Sequence, residues 1–348
     1  MTTATVTPTG VVAAPAGLDR EQWLTVRRKG VGGSEVAAIL GMSKYTSPIE
    51  VYLDKRGELP LDRPQHPDLA EAAYWGLAQE PLIAKAFADR TGLSVIEGPG
   101  TLANVERSWM LANVDRYVLT AGESTPSSLL EIKTRSAYQL DEWTGGVPDG
   151  PALQTHWYLA VTGYEHAHVA ALLGGNRLMV HRVERDEALI GQLVAIVGEF
   201  WRGVLDGTPP AVDGSEATEE LLGHLYAVTP DRVAVADPAE VLPLLERRRE
   251  LKAREQRTAD ELREVDNRLK ATAGEAEVVK VQGRTAYTYK QNGPLSQKRF
   301  IAAHPGLAQQ YTHRVDVLDT KSLAAQCPDE FRAHRARRLV VPKENAAA

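Results

Sequence analysis

Cysteine is almost absent from this chain of 348 residues, in which Cys327 is the one thiol. A single cysteine excludes an internal disulfide framework and any zinc site built from cysteine pairs. Long apolar runs are also missing, because no uninterrupted apolar stretch approaches the roughly 18 to 20 residues that span a bilayer. The sequence therefore predicts a cytoplasmic protein without a membrane segment.

Basic residues are missing from the first 17 positions, MTTATVTPTGVVAAPAG, where only a weak apolar patch occurs. A secretory signal has a basic start before its apolar core, so residues 1–17 predict a disordered leader instead. We expect the folded part of the chain to begin near residue 18.

The net charge of −6 is unevenly distributed. From Val278 to Lys343 the chain has twelve Lys or Arg residues against four Asp or Glu, whereas the preceding part is acidic. A basic C-terminal segment on an acidic body suits a polyanion such as nucleic acid, and it equally suits attraction between two domains of one chain.

The order of predicted elements is that of an α/β domain followed by an arm. Helical patterns, β-rich runs and turn residues alternate in the order helices 18–56 and 68–90, strands within 93–134, helix 150–162, two strands joined by Gly174-Gly175-Asn176, and helix 186–205. This order predicts a core over 18–207 with a mixed central β-sheet flanked by helices. A segment rich in Pro, Gly and acidic residues, 208–243, predicts a linker. Residues 244–348 predict an arm with a long charged helix at 244–272, a β-hairpin and a basic tail.

Two carboxylates and a lysine form the first candidate site. Asp115 lies in the predicted strand "LANVDRYVLT", and Glu131 and Lys133 lie two apart in "LLEIKTR". Strand alternation places Glu131 and Lys133 on one face and turns Ile132 into the core. Carboxylates on neighbouring strands can share a hard divalent cation, which activates water and neutralises a phosphate under attack. From these residues alone, a structural ion pair at a sheet edge is the more common outcome.

A glycine-rich turn forms the second candidate site. In "RRKGVGGSEVAAIL", Gly30, Gly32 and Gly33 precede a short helical pattern that Ser34 can cap. Backbone N–H groups of such a turn can bind an anion. No Gly-Lys-Ser/Thr follows, and no strand precedes the turn with dinucleotide-binding spacing. The residues alone leave a phosphate site and a capped helix start without a ligand equally open.

In combination these motifs resemble the YqaJ-like viral recombinase family, which includes phage lambda exonuclease and belongs to the PD-(D/E)xK nuclease superfamily. The similarity runs in order through "WLTVRRKGVGGSEVAAILGMSKYTSPIEVYLDKRG", "WGLAQEP", "NVDRYV", "LEIKT" and "LQTHWYLAVTG". It covers roughly residues 20–200, and the weaker C-terminal likeness reaches "CPDEFRAHRARR". Val114 departs from the superfamily pattern, which has proline before the first acidic residue. The resemblance implies a restriction-endonuclease-like core.

The resemblance also implies a role for each residue of the acidic cluster. Asp115 and Glu131 would be ligands of Mg²⁺, with Mn²⁺ able to substitute. The backbone carbonyl of Ile132 would complete the metal shell, and Glu80 of "WGLAQEP" would be a further ligand or would position water. Lys133 would activate water or stabilise the transition state.

The resemblance also implies a phosphate partner for the glycine turn. Arg27 and Ser34 match positions of the family that contact the DNA phosphate near the processed end. Gly32 and Gly33 would let the backbone approach that phosphate, and Arg28 would add nonspecific attraction to the DNA backbone.

Gln154 and Tyr158 lie at i and i+4 on one helix face. The resemblance implies that they brace the site or touch DNA, and ordinary helix packing is an equal alternative for Tyr158.

The implied activity is that of a metal-dependent exonuclease that resects linear double-stranded DNA 5′ to 3′ for recombination by single-strand annealing. The implied partners are duplex DNA ends, a single-strand annealing protein and copies of the same chain in a ring-shaped trimer. Two alternatives stay open. An endonuclease or restriction-like nuclease could use the same site, and a non-catalytic DNA-binding or assembly protein could retain the fold.

Overall fold

The structure, a computed structural model, describes residues 6–61, 67–120, 122–225, 232–313, 317–335 and 339–341. The chain divides into two compact units, Met1–Ala227 and Val228–Ala348. The first unit contains every candidate site residue.

Eight α-helices are described in the first unit. In chain order they are α1 (Arg20–Arg27), α2 (Gly33–Ile39), α3 (Pro48–Lys55), α4 (Pro67–Thr91), α5 (Leu140–Thr144), α6 (Asp149–Thr162), α7 (Glu187–Asp206) and α8 (Glu216–Leu225). Several begin and end at residues suited to a cap. Asp19 accepts a hydrogen bond from the Gln22 amide at 2.8 Å before α1. Gly163 and Gly207 end α6 and α7 in the left-handed conformation that glycine adopts without steric penalty.

Nine strands of the same unit form two sheets. They are β1 (Gly10–Pro15), β2 (Val31–Gly32), β3 (Ser94–Ile96), β4 (Gly100–Asn104), β5 (Met110–Ala112), β6 (Arg116–Leu119), β7 (Ser128–Arg135), β8 (His166–Leu173) and β9 (Arg177–Glu184). The five-stranded sheet has the order β3-β6-β7-β8-β9, with β7 parallel to β8 and the other pairs antiparallel. The four-stranded sheet has the order β1-β4-β5-β2. The predicted α/β fold with a mixed sheet flanked by helices is confirmed, and the second sheet is an addition to it.

Helix α4 covers one face of the five-stranded sheet. Ile83 and Phe87 of α4 pack in a buried cluster with Val118, Leu130 and Ile132 of the sheet. The predicted inward orientation of Ile132 is therefore confirmed. Helix α6 contacts α2, β4, β5 and β8, so it packs between the two sheets within the largest hydrophobic cluster.

The predicted single strand over "LANVDRYVLT" is wrong. The segment forms two strands that belong to different sheets, β5 in the four-stranded sheet and β6 in the five-stranded sheet. Asp115 lies in the break, directly before the first residue of β6. The chain passes from one sheet to the other at this break, because β5 pairs with β4 and β6 pairs with β7.

The predicted disordered leader is wrong for residues 10–15, which form β1 and pair antiparallel with β4. The preceding Thr9 donates from its hydroxyl to the Val161 carbonyl at 2.9 Å, and Val12 packs on the main core. Long-range pairing with a strand some ninety residues away compensates for the weak local pattern. Residues 1–5 lie outside the described part.

The predicted linker over 208–243 is wrong at residues 216–225, which form α8, and at residues 238–243, which belong to the arm helix. Helix α8 packs on the core with Ala217 and Leu221 buried and Leu225 partly buried. These three residues are spaced by four, so they lie along one helix face. The arm helix begins at Pro238, and the boundary between the two units falls at residue 227.

Helix α7 qualifies the expectation of no membrane segment. By length and composition it is long and apolar enough to cross a bilayer. Its residues Ile190, Leu193, Val197, Trp201 and Val204 are buried in the main core of the unit. This apolar face is accordingly used for packing within the protein.

The second unit contains the arm. Its described elements are α9 (Pro238–Ala273), β10 (Val278–Val281), β11 (Arg284–Thr288), α10 (Gln297–Ala303), α11 (Pro305–Gln310), α12 (Thr320–Gln326) and α13 (Pro328–Ala333). The long helix and the hairpin are confirmed. Residues 336–338 and 342–348 of the predicted basic tail lie outside the described part.

Two neighbouring leucines of α8 test whether this helix belongs to the core. Leu221 is 7% exposed and Leu222 is 38% exposed. We expect Leu221→Ala to lower the free energy of unfolding by about 2–4 kcal/mol, because it leaves a cavity in the core. Leu222→Ala should change it by less than about 0.5 kcal/mol. Urea denaturation measures both, and equal small effects would show that the segment is a linker.

Candidate active site

The site lies where β6 begins to pair with β7. Arg116 pairs with Leu130, and Asp115 precedes Arg116. The amide of Ile132 donates to Asp115 Oδ2 at 2.6 Å, so a side chain satisfies the edge of β7 at the point where β6 begins. The N–H and C=O of one strand residue point to the same side of the strand, so the Ile132 carbonyl also faces Asp115.

One hydrogen-bonded group joins β7 to α6. It consists of Glu131 and Lys133, on the face of β7 opposite to Ile132, and of Gln154 and Tyr158 on α6. Lys133 Nζ is ion-paired with Glu131 Oε1 and donates to Gln154 Oε1 at 3.0 Å. Gln154 Nε2 in turn donates to Glu131 Oε1 at 2.8 Å and lies 3.0 Å from the Tyr158 hydroxyl. Tyr158 is 4% exposed, so it braces Gln154 from within the core.

Glu131 is a carboxylate inside the protein. It is 1% exposed, and its Oε2 is buried without a hydrogen-bond partner among the described residues. Burial raises the pKa of Glu131, against the opposing effect of the Lys133 ammonium. Burial, followed by the charge of Glu131, raises the pKa of Asp115 well above its ordinary range. Negative charge on this pair is therefore disfavoured, and the surrounding protein only partly offsets the cost.

Glu80 reaches the same place from α4. Arg116 Nη1 is ion-paired with Glu80 Oε1 and also donates to the Asp115 carbonyl at 2.5 Å. After burial, the charge of Glu80 makes a smaller contribution to the raised pKa values of Asp115 and Glu131, and Arg116 bridges Glu80 to the Asp115 backbone. The structure thus gathers Glu80, Asp115, Glu131 and Lys133, as the sequence predicts.

The donor set fits a cation of the hard, oxygen-binding class. Within the described ranges, no three His, Cys, Asp or Glu side chains are grouped closely enough to form a complete metal cage. Mg²⁺ commonly takes only one or two protein carboxylates and retains several waters. The unpartnered Glu131 oxygen, the adjacent Asp115 and the Ile132 carbonyl are oxygen donors of the class that such a cation prefers.

The glycine turn abuts this group through α6. A Cβ at Gly33 would lie 2.6 Å from Tyr158 Cε1 and 3.1 Å from Gln154 Cγ. A Cβ at Gly30 would collide with the Trp109 carbonyl. Gly30 and Gly33 therefore permit close packing, and Gly33 brings the start of α2 against the helix that carries Gln154.

The prediction that Ser34 caps the helix is wrong. Gly32 is the N-cap, and Ser34 lies inside the first turn of α2. The side chain of Glu35 turns back and accepts from the Gly32 amide at 2.8 Å. That amide is consequently engaged within the protein, while Ser34 Oγ is left to accept a hydrogen bond from Arg27 Nη2 at 3.2 Å.

Arg27 and Arg28 differ in their surroundings. Arg27 contacts Ser34 and is ion-paired with Glu35 at 2.7 Å. Arg28 is ion-paired with Asp54 at 2.9 Å and donates to the Leu59 carbonyl at 2.5 Å. Its guanidinium thus bridges these two groups, and the attraction of Arg28 to a DNA backbone stays a prediction.

Three further residues are missed by the sequence interpretation. Arg116 orients Glu80, and Lys55 is buried against Glu35. Arg135 lies on the same strand face as Glu131 and Lys133. Burial lowers the pKa of Arg135, and the nearby charge of Glu131 offsets only part of this effect. Strand alternation could have identified Arg135, whereas Arg116 and Lys55 have no local signal.

Comparison with known proteins adds the family. Residues 22–165 match the family model of the YqaJ-like viral recombinase domain. The protein YqaJ of Bacillus subtilis (strain 168) is 37% identical over 271 residues, which cover 77% of this chain and 82% of that protein.

Solved structures of two exonucleases are also similar in part. The alkaline exonuclease LHK-Exo from Laribacter hongkongensis has 20% identity and a TM-score of 0.43, covering 54% of this chain and 94% of that one. A phage-related exonuclease from Haemophilus somnus 129PT has 12% identity and a TM-score of 0.35, covering 51% of this chain and 96% of that one. The family match and the identity to the Bacillus subtilis protein are decisive, and the chain belongs to the YqaJ-like viral recombinase family.

Proposed function

We propose that this protein is a divalent-metal-dependent deoxyribonuclease that degrades linear duplex DNA from its ends. The observation that carries the proposal is the gathering of Asp115, Glu131 and Lys133 where β6 and β7 part. One ammonium beside a buried carboxylate and a half-buried one is an arrangement that phosphodiester hydrolysis can use, because the reaction needs a held cation and a positioned water.

Asp115, Glu131 and the Ile132 carbonyl would hold the metal, with Glu80 adjacent. The buried, unpartnered Glu131 oxygen and the raised pKa values of both carboxylates support Mg²⁺, with Mn²⁺ as a substitute. When bound, the cation would lower the pKa of a water ligand and neutralise charge on the phosphate.

The protein side chains have separable tasks in this mechanism. Lys133 Nζ lies beside Glu131 and can orient water or stabilise developing negative charge. Gln154 bonds both Lys133 and Glu131, so it fixes the distance between the ammonium and the carboxylate. Tyr158 holds Gln154 in turn, and Arg116 holds Glu80.

A phosphate contact beside this centre would select the end of a DNA strand. Arg27 and Ser34 lie together at the start of α2, and Gly33 packs that start against Gln154 and Tyr158. We assign the phosphate contact to Arg27 and Ser34, with Gly32 and Gly33 shaping the turn and Arg28 adding nonspecific attraction to the DNA backbone.

The family membership supports the wider setting of this activity. It favours 5′ to 3′ resection for recombination by single-strand annealing, in the cytoplasm of a bacterial host. It also favours a ring-shaped trimer and a single-strand annealing protein as partners. The basic segment beyond residue 277 would contribute to DNA contact.

Replacement of Lys133 tests the reaction. With Mg²⁺ and linear duplex DNA labelled at each end, wild type should release the 5′ label, and Lys133→Ala should be slower by about 100-fold or more. Lys85→Ala removes an exposed lysine of α4 and should retain full activity. Cutting of a closed circle would instead show an endonuclease. Absence of cleavage with Mg²⁺ and Mn²⁺ would leave a DNA-binding protein without chemistry.

Stability measurements test the cation site without cleavage. The folded-state pKa values of Asp115 and Glu131 are raised, so their contribution to stability is present at low pH and is lost as the pH rises through those values. In EDTA near neutral pH, Asp115→Asn should therefore have a higher Tm than wild type.

Adding Mn²⁺ should raise the Tm of wild type and leave Asp115→Asn nearly unchanged, because binding stabilises only a protein that has the site. Asp89→Asn, at an exposed position on α4, is the matched control and should respond like wild type. Equal stabilisation of wild type and Asp115→Asn by Mn²⁺ would contradict the assignment.

A further inference from the structure

A fully buried lysine lies behind the phosphate contact. The side chain of Lys55, the last residue of α3, is 0% exposed. Its Nζ donates to Glu35 Oε1 at 2.8 Å and to the Arg27 carbonyl at 2.7 Å. A buried ammonium is rare and is tolerated only when it is paired in this way.

Glu35 is the centre of this group. Its Oε1 accepts from both Lys55 and Arg27, and its Oε2 accepts from the Gly32 amide. Burial opposes ionisation of Glu35, but Arg27 and Lys55 outweigh it and hold the pKa of Glu35 below its ordinary value. The carboxylate is therefore ionised and shared between two cations.

Sharing leaves the group with one surplus positive charge. If Arg27 and Glu35 were alone, they would form a neutral pair, and a phosphate would have to compete with the carboxylate for the guanidinium. Lys55 takes part of that carboxylate, so Arg27 retains charge for a second anion.

The surplus matters because the adjoining cavity has carboxylates of its own. Arg27 and Ser34 line a cavity of about 260 Å³ between α1, α2 and α3. Its walls also contain Glu50, Asp54 and Arg20, and Asp54 is paired with Arg28. A phosphate entering this cavity gains attraction only where cations outnumber carboxylates.

We propose that Lys55 is a positioning residue for the phosphate contact, which shares Glu35 with Arg27 and so keeps the Arg27–Ser34 pair able to bind the terminal phosphate of a DNA strand. The inference rests on the proposed function and names a residue that this function does not require by itself. Lys55 also fixes the chain at the Arg27 carbonyl, where α1 ends.

Three variants separate charge from folding. Lys55→Met removes the surplus charge, Glu35→Gln increases it while leaving Lys55 buried without its carboxylate, and the double variant restores the original surplus. The measurement is the affinity for a 5′-phosphorylated duplex relative to the same duplex with a 5′-hydroxyl, in EDTA so that no cleavage occurs. The Tm of each variant is measured in parallel.

We expect wild type to prefer the 5′-phosphorylated duplex and Lys55→Met to lose about tenfold of that preference. Glu35→Gln should have a lower Tm and an undiminished preference, and the double variant should regain the preference lost by Lys55→Met. Arg56→Met removes the neighbouring cation, which pairs with Glu58, and should leave the preference unchanged.

If the preference for the 5′-phosphorylated duplex falls in proportion to the Tm across the variants, the inference is overturned, since Lys55 would then serve folding alone. Unchanged preference in a folded Lys55→Met would overturn it as well, while cleavage by wild type would leave the proposed function standing. A wild type that cleaves linear DNA but has no 5′-phosphate preference would remove the phosphate contact itself. Loss of wild-type cleavage is the separate failure of the proposed function.

Discussion

Two neighbouring carboxylates, Glu131 buried and Asp115 half-buried, are the constraint on which the rest of the site depends. Asp115 and Glu131 repel one another, and burial disfavours the charge of both. The fold retains them by giving Asp115 the Ile132 amide and by giving Glu131 the Lys133 ammonium and the Gln154 amide. One Glu131 oxygen receives no such partner among the described residues. Strain of this kind is typical of a site whose missing partner is a ligand.

Helix α6 couples the acidic pair to the glycine turn. Gln154 contacts Glu131, and Tyr158, one turn later, packs on Gly33. Between them, Trp157 Nε1 donates to the Val31 carbonyl at 3.2 Å and to the Leu111 carbonyl at 3.1 Å, which ties the helix to β2 and β5. The proposed catalytic centre and the proposed phosphate contact are thus both packed against one helix. A substrate phosphate held at Arg27 would have a fixed distance to the reacting bond.

Sequence patterns were sufficient where the determinant is local. Alternation placed Glu131 and Lys133 opposite Ile132, and the order of the patterns gave the mixed sheet and the arm helix. They failed where the determinant is a distant partner. The weak pattern at residues 10–15 becomes a strand only through β4, and Asp115 leaves its strand because β5 and β6 join different sheets. Arg28 looks available in sequence and is engaged by Asp54, a residue whose proximity depends on how α3 packs.

The group of Lys55, Glu35 and Arg27 also depends on residues that are distant in the sequence. Lys55, Glu35 and Arg27 come from three different helices, so no spacing in the sequence reveals that they meet. Helix α8 is intermediate, because its face of Ala217, Leu221 and Leu225 is visible in the sequence but is obscured by the surrounding Pro, Gly and acidic residues. Composition alone led to the linker prediction, and periodicity within it would have corrected the prediction.

The most direct measurement is anomalous diffraction at the manganese edge from crystals of the full chain grown with Mn²⁺. The account predicts a peak bounded by the carboxylates of Asp115 and Glu131 and the Ile132 carbonyl, at oxygen distances of about 2.0–2.2 Å. Its loss in crystals of Glu131→Gln would confirm that this carboxylate holds the ion. A wild-type crystal with no peak between Asp115 and Glu131, or with Mn²⁺ bound only elsewhere, would contradict the account.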